Sequence, residues 1–136
     1  MPLMTWTEKM SVGIGVIDTD HQKLVSMVNE LYDGIQAGKG KEKLGPVLDA
    51  LVDYTKMHFA REEKFFAQTA YPDAPAHKKE HEALTKQVAD VQGKFKAGAT
   101  STLSLEVMNF LKNWLVTHIQ GSDKKYAPHL HQKGVK

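Results

Sequence analysis

Apolar residues recur at three- and four-residue intervals along four separate stretches of this chain, the period of amphipathic helices rather than strands. The first stripe carries His21, Leu24, Val28, Leu31 and Ile35. It is expected to start near Thr19, with Gln22 in capping-box position, and to stop at Gly38 and Gly40. The second, roughly 41–66, aligns Leu51, Thr55, His58, Glu62 and Phe65, with Pro46 near its start or marking it. Tyr71-Pro72-Asp73-Ala74-Pro75 is a break whose Asp73 can cap the third, where His77, His81, Leu84, Val88, Val91 and Phe95 share a face up to Gly98. After Thr100-Ser101-Thr102, the fourth holds Val107, Leu111, Trp114 and His118, and Gly121 interrupts it. Short connections favour antiparallel neighbours. The expected fold is all-α, an up-down-up-down antiparallel four-helix bundle over about 19–123. An extended N-terminal arm, 1–18, is anchored by Trp6, Ile14 and Val16, and 124–136 forms a short, frayed C-terminal tail.

At 136 residues and 41% hydrophobic content, one core and one domain over 1–136 are expected. The 18 basic and 16 acidic side chains are interleaved, so no basic face for nucleic acid or anionic lipid stands out. Without cysteine, thiolate metal sites, disulfides and cysteine nucleophiles are excluded. No run of about 20 apolar residues occurs, and Met1 to Glu8 has neither a basic start nor an apolar run of signal length. Both features predict a soluble, cytoplasmic protein.

Five of the seven histidines fall on the inward stripes or at their ends, together with Glu62 and Asp123. His21, His58, Glu62, His77, His81, His118 and Asp123 thus supply each helix with one or two metal ligands, and five imidazoles with two carboxylates point to paired iron. Four residues advance about 400° along a helix, so His58/Glu62 and His77/His81 share a face. His118 and Asp123, five apart, would diverge by about 140°. One turn must therefore widen or end early, and Gly121 can permit a π-type turn there. The alternative is a buried hydrogen-bond network, which would need a partner for every nitrogen and oxygen. His129 and His131 are expected to be solvated, Glu63 to form a solvent-facing salt bridge, and Trp6 and Tyr126 to pack.

Asp20-His21, His58-Phe59-x-x-Glu62-Glu63, His77-x-x-x-His81 and Trp114-Leu115-x-x-His118-Ile119-x-x-x-Asp123 resemble the hemerythrin family, specifically its single-domain bacterial members. The likeness extends to Met4-Thr5-Trp6 and residues 13–18, and known members are up-down-up-down bundles. The resemblance implies a non-haem di-iron centre of two iron ions (Fe2+ or Fe3+) with a bridging oxo or hydroxo group. His77, His81 and His118 would bind one iron and His21 and His58 the other, with Glu62 and Asp123 bridging both. Only the second iron is then open. Dioxygen would bind there, taking one electron from each iron and the proton of the bridge, in a reversible passage from deoxy diferrous to oxy diferric-hydroperoxo. The same resemblance lines the dioxygen pocket with Leu24, Phe59, Trp114, Leu115 and Ile119, which are equally residues a core needs.

The chain contains no Glu-x-x-His, the paired motif of carboxylate-rich di-iron bundles that activate oxygen. Imidazole-rich ligation favours ferrous iron and so favours holding dioxygen. The expected function is an oxygen carrier or store that is not an enzyme. An oxygen-consuming protein would be the recipient, with no nucleic acid or membrane partner, and a monomer is favoured. A redox sensor, or an enzyme reducing nitric oxide or peroxide, is the alternative use of the same iron.

Overall fold

A computed structural model describes residues 3–38, 41–98 and 105–135. Among these, α1 (Gly15–Gln36), α2 (Lys41–Thr69), α3 (Ala74–Lys96), α4 (Leu105–Thr117) and α5 (Lys124–Gln132) form an up-down-up-down bundle with no strand. A π-helical turn, His118–Asp123, joins α4 to α5 without a break. No described helix is long and apolar enough to cross a membrane. Gly40 and Thr100-Ser101-Thr102, expected in connections, lie outside the described residues.

Two boundaries differ from those expected, the start of α1 and the end of α2. α1 begins at Gly15, ahead of Thr19, whose hydroxyl bonds back to the Gly15 carbonyl at 2.9 Å and caps nothing. The arm is tied instead by Asp18, whose carboxylate accepts the Val12 N–H at 2.8 Å and the Ser11 hydroxyl at 2.5 Å. α2 starts at Lys41 with Pro46 inside it, near enough to the first turn that a single backbone bond is forgone. It runs past Phe66 to Thr69, where Ala70 turns left-handed at φ 53° and the Tyr71 N–H closes onto the Phe66 carbonyl. Asp73 occupies the N-cap of α3, but its side chain makes no capping bond.

The arm and tail also pack differently. Val16 is 40% exposed and Trp6 only partly buried, so Ile14 alone of the three expected anchors is buried, joined by Met4, Met10 and Val12. Met4 exchanges two hydrogen bonds with the Asn29 side chain, at 2.8 and 2.9 Å. The tail is not frayed: α5 buries Tyr126 and Leu130 completely.

Apolar residues divide into two clusters along the bundle. The larger gathers Leu24, Val28, Leu31, Leu48, Leu51, Phe59, Leu84, Val88, Phe95, Met108, Leu111, Leu115 and Ile119. The smaller joins the arm, the end of α2 and α5 through Val12, Ile14, Ile17, Phe66, Tyr71, Tyr126 and Leu130. Between them, on α1, α2, α3 and the π turn, lies a layer of buried polar side chains.

Candidate metal centre

That layer contains His21 from α1, His58 and Glu62 from α2, His77 and His81 from α3, and His118 and Asp123 from the two ends of the π turn. All seven are at most 3% exposed. The π turn resolves the five-residue spacing, because a wider turn returns residue 123 to the face of residue 118.

The carboxylates organise the imidazoles into two sets. Glu62 Oε1 lies 2.9 Å from His81 Nε2 and 3.6 Å from His77 Nε2, while Oε2 lies 3.6 Å from His58 Nε2 and 3.8 Å from His21 Nε2. Asp123 Oδ1 is 2.9 Å from His77 Nε2 and 3.0 Å from His118 Nε2, and Oδ2 is 3.0 Å from His21 Nε2. Each carboxylate therefore turns one oxygen to His77, His81 and His118 and the other to His21 and His58. Within each set the ligand atoms lie within 4.8 Å of one another, so each can hold a metal ion.

Burial tests that fit. Nε2 of His21, His77, His81 and His118, Oε1 of Glu62 and both oxygens of Asp123 are buried with no hydrogen-bond partner. Such a concentration of orphaned polar atoms is costly in a protein interior. Lone pairs converging from several helices are what a cation needs, and the all-nitrogen and oxygen donor set suits iron. With the Nδ1 protons of His81 and His118 given to carboxylates, their Nε2 lone pairs face oxygens that cannot donate, so a network of neutral histidines would leave these atoms unpaired.

Outer groups set the imidazole tautomers. His58 Nδ1 donates to Asp20 (2.9 Å), His81 Nδ1 to Glu63 (3.1 Å) and His118 Nδ1 to Glu80 (3.0 Å), which leaves each Nε2 lone pair facing inward. Asp20 is held by Tyr54 and Arg61, and Glu80 by Ser122. Burial opposes the ionisation of Asp20 and of Glu80. Contacts with His58 and Tyr54 in one case, and with Ser122 and His118 in the other, prevail and keep both carboxyls below their ordinary pKa. Tyr126 donates its hydroxyl to Glu62 Oε2.

Several expectations about outlying residues are therefore corrected. Glu63 is an imidazole partner rather than a solvent-facing salt bridge, because α3 packs beside it. His129 is half-buried, its Nε2 at 2.7 Å from the Thr69 carbonyl, whereas His131 is exposed as expected, with its Nε2 3.0 Å from the Gly13 carbonyl. Sequence reading missed Asp20 and Glu80 as partners, although each adjoins a histidine of the cluster. Tyr126 does more than pack, because its hydroxyl reaches Glu62.

Among the five residues assigned to a dioxygen pocket, Phe59 stacks on His81 at 3.9 Å between ring centres, and Trp114 stacks on His118 at 4.4 Å. Leu24, Leu115 and Ile119 are buried in the larger apolar cluster, and Trp114 packs against it partly exposed.

A sequence profile described as the hemerythrin HHE cation binding domain matches residues 12–130. The chain belongs to the hemerythrin family. Bacteriohemerythrin of Stenotrophomonas maltophilia is 39% identical to this hemerythrin over 93% of its length and 81% of the relative's. Bacteriohemerythrin of Methylococcus capsulatus is 41% identical over 94% and 97%. A crystal structure of wild-type hemerythrin superposes with a TM-score of 0.86 at 41% identity, covering 94% of this chain and 98% of that one.

Without metal, this hemerythrin stores protons in the site. Burial pushes the His21 and His77 imidazoliums down, but contact with Asp123 and Glu62 outweighs it and raises them to about 10 and about 9. Burial raises Glu62 and Asp123, but the surrounding imidazoles hold both carboxyls below their usual range. The raised histidines stabilise the metal-free fold fully below about pH 6.5, and that contribution disappears as pH climbs through about 9 to 10. The carboxylates contribute above their ordinary range and lose that contribution as acid protonates them. Metal must displace the His21 and His77 protons, so loading at pH 7 is expected to release them, and affinity to rise with pH up to about 10. Calorimetry in buffers of different ionisation enthalpy counts the protons, and loading without release would contradict this charge balance.

Proposed function

We propose that this hemerythrin binds dioxygen reversibly at a pair of iron ions, as a carrier or store that turns over no substrate. The observation that supports it is the unequal sharing of two carboxylates. His77, His81 and His118 with Glu62 and Asp123 offer five residues to one ion, whereas His21 and His58 with the same carboxylates offer four to the other. The four-residue position keeps the room for an external ligand. Two ferrous ions held there would supply the two electrons that reversible dioxygen binding requires.

The chain's own residues do the rest. Glu62 and Asp123 fix the separation of the two positions by addressing one oxygen to each. Asp20, Glu63 and Glu80 hold His58, His81 and His118 in the tautomer that binds metal. Tyr126 holds Glu62 from the side of the smaller apolar cluster. Leu24, Phe59, Leu115 and Ile119, with Trp114 at the edge, form an apolar wall that excludes water, whose entry would promote irreversible oxidation. The imidazole-rich ligand set supports holding dioxygen over activating it. The proposed setting is the cytoplasm, with an oxygen-consuming protein as recipient and a monomer as the working unit.

The deciding experiment follows the visible spectrum of reduced, iron-loaded protein under inert gas, after oxygen, and after flushing. A charge-transfer band that appears with oxygen and vanishes on flushing supports the carrier reading. Steady consumption of an electron donor would replace it with an enzymatic one. Leu24→Ser or Ile119→Ser is expected to keep two irons and oxidise several-fold faster in air, read as the decay of the oxygenated spectrum. An unchanged decay would remove the role given to the wall.

A further inference from the structure

The outer carboxylates follow an order. Asp20 precedes His21 on α1 but bonds His58 on α2; Glu63 follows Glu62 on α2 but bonds His81 on α3; Glu80 precedes His81 on α3 but bonds His118 in the π turn. Each helix thus backs a histidine of the next, and the series passes round the bundle. Its closing member would come from beside Asp123 and back His21. The residues there are Ser122, whose hydroxyl is committed to Glu80, and Lys124, a cation. His21 Nδ1 is buried and meets no acceptor.

Charge adds to this asymmetry. Asp20 shares both oxygens with Arg61 Nη1 at 2.9 Å and one with Tyr54, so the carboxylate behind His58 is neutralised. Among the described residues, neither Glu63 nor Glu80 has a lysine or arginine within ion-pair distance. A carboxylate accepting the Nδ1 proton makes the opposite nitrogen a stronger donor to metal, an effect worth about 10- to 100-fold in affinity. His81 and His118 receive it in full, His58 in reduced measure, and His21 not at all.

We propose that the two metal positions are unequal by construction: the His77, His81 and His118 position fills first and retains its ion, and a stable one-metal form precedes the two-metal form. The proposal rests on the paired-metal reading above. Stepwise affinities are expected to differ by at least about tenfold. The shared carboxylates could instead couple the two positions, and a coupled pair would fill together.

Titration of the metal-free protein with cobalt(II) alone, followed by native mass spectrometry and visible absorption, separates these cases. One equivalent is expected to give mainly the one-metal species. Glu80→Gln is expected to weaken only the first step, by about 10- to 100-fold, and Asp20→Asn only the second, by a smaller factor. Both substitutions preserve shape, and selective loss of one step is not what general destabilisation produces. An equal mixture of empty and two-metal protein at one equivalent would overturn the proposal, as would both variants weakening the same step. Failure of cobalt to bind at all would instead overturn the paired-metal reading itself.

Discussion

Glu62→Ala is expected to empty both metal positions, not one. Glu62 sends Oε1 towards His81 and His77 and Oε2 towards His58 and His21, so truncation removes a ligand from each set at once. The loss in affinity should exceed the roughly 10- to 100-fold that follows removal of an outer partner. Tyr126, 0% exposed, would lose the acceptor for its hydroxyl, at a cost of about 1 to 3 kcal/mol, while repulsion between Glu62 and Asp123 would vanish. The fold should therefore persist as iron content falls to near zero. Iron per chain, with a thermal melt alongside, checks this. His131→Ala provides the contrast, because its ring bonds the Gly13 carbonyl and touches no residue of the cluster. It should keep its iron. Retention of two irons by Glu62→Ala, or their loss from His131→Ala, would mean that the ligand set is misassigned.

Tyr126→Ala is expected to cause the largest loss of stability, about 3 to 5 kcal/mol, typical of deleting a fully buried aromatic ring. Small proteins hold about 5 to 15 kcal/mol in total, so a large share would go. The ring sits in the smaller apolar cluster, edge-on to Phe66 at 5.2 Å and beside Tyr71 and His77, and its hydroxyl holds Glu62. Tyr126→Phe divides the two roles by keeping the packing and removing the donor, for about 1 kcal/mol. Denaturant unfolding of metal-free protein measures both. A Tyr126→Ala protein as stable as Tyr126→Phe would show that the smaller cluster contributes little.

The four bundle helices were legible because their apolar stripes are long enough to set a period, and the anomalous turn was legible because helix geometry forbids residues 118 and 123 from facing one way. α5 was not. Its apolar contacts reduce to Tyr126, Ala127 and Leu130, too few for a period, with Pro128 among them, and it is held by tertiary packing and by continuity with the π turn. The true start of α1 was hidden because Gly15, Val16 and Ile17 are poor helix formers, kept helical by burial of Ile17 and by Asp18 gripping the arm. The seven residues of the cluster could be named from spacing and family likeness. Their outer partners could not, since each carboxylate serves a histidine on another helix and adjacency in sequence points to the wrong one.

The π turn also governs what changes in chain length this protein can accept. An extra residue per turn sets the rotational phase of everything after it, so Asp123, Tyr126 and Leu130 owe their inward aim to six residues upstream or among them, His118–Asp123. Restoring ordinary winding there without removing a residue would swing all three by about 100°. The damage would then travel forward through α5 as a change of phase, reaching a ligand, a tether and a core side chain without altering any of them chemically. Removing one residue as the winding is restored would instead leave Asp123 four positions from His118 and keep the phase of α5, so that single shortening is the change of length the turn accepts.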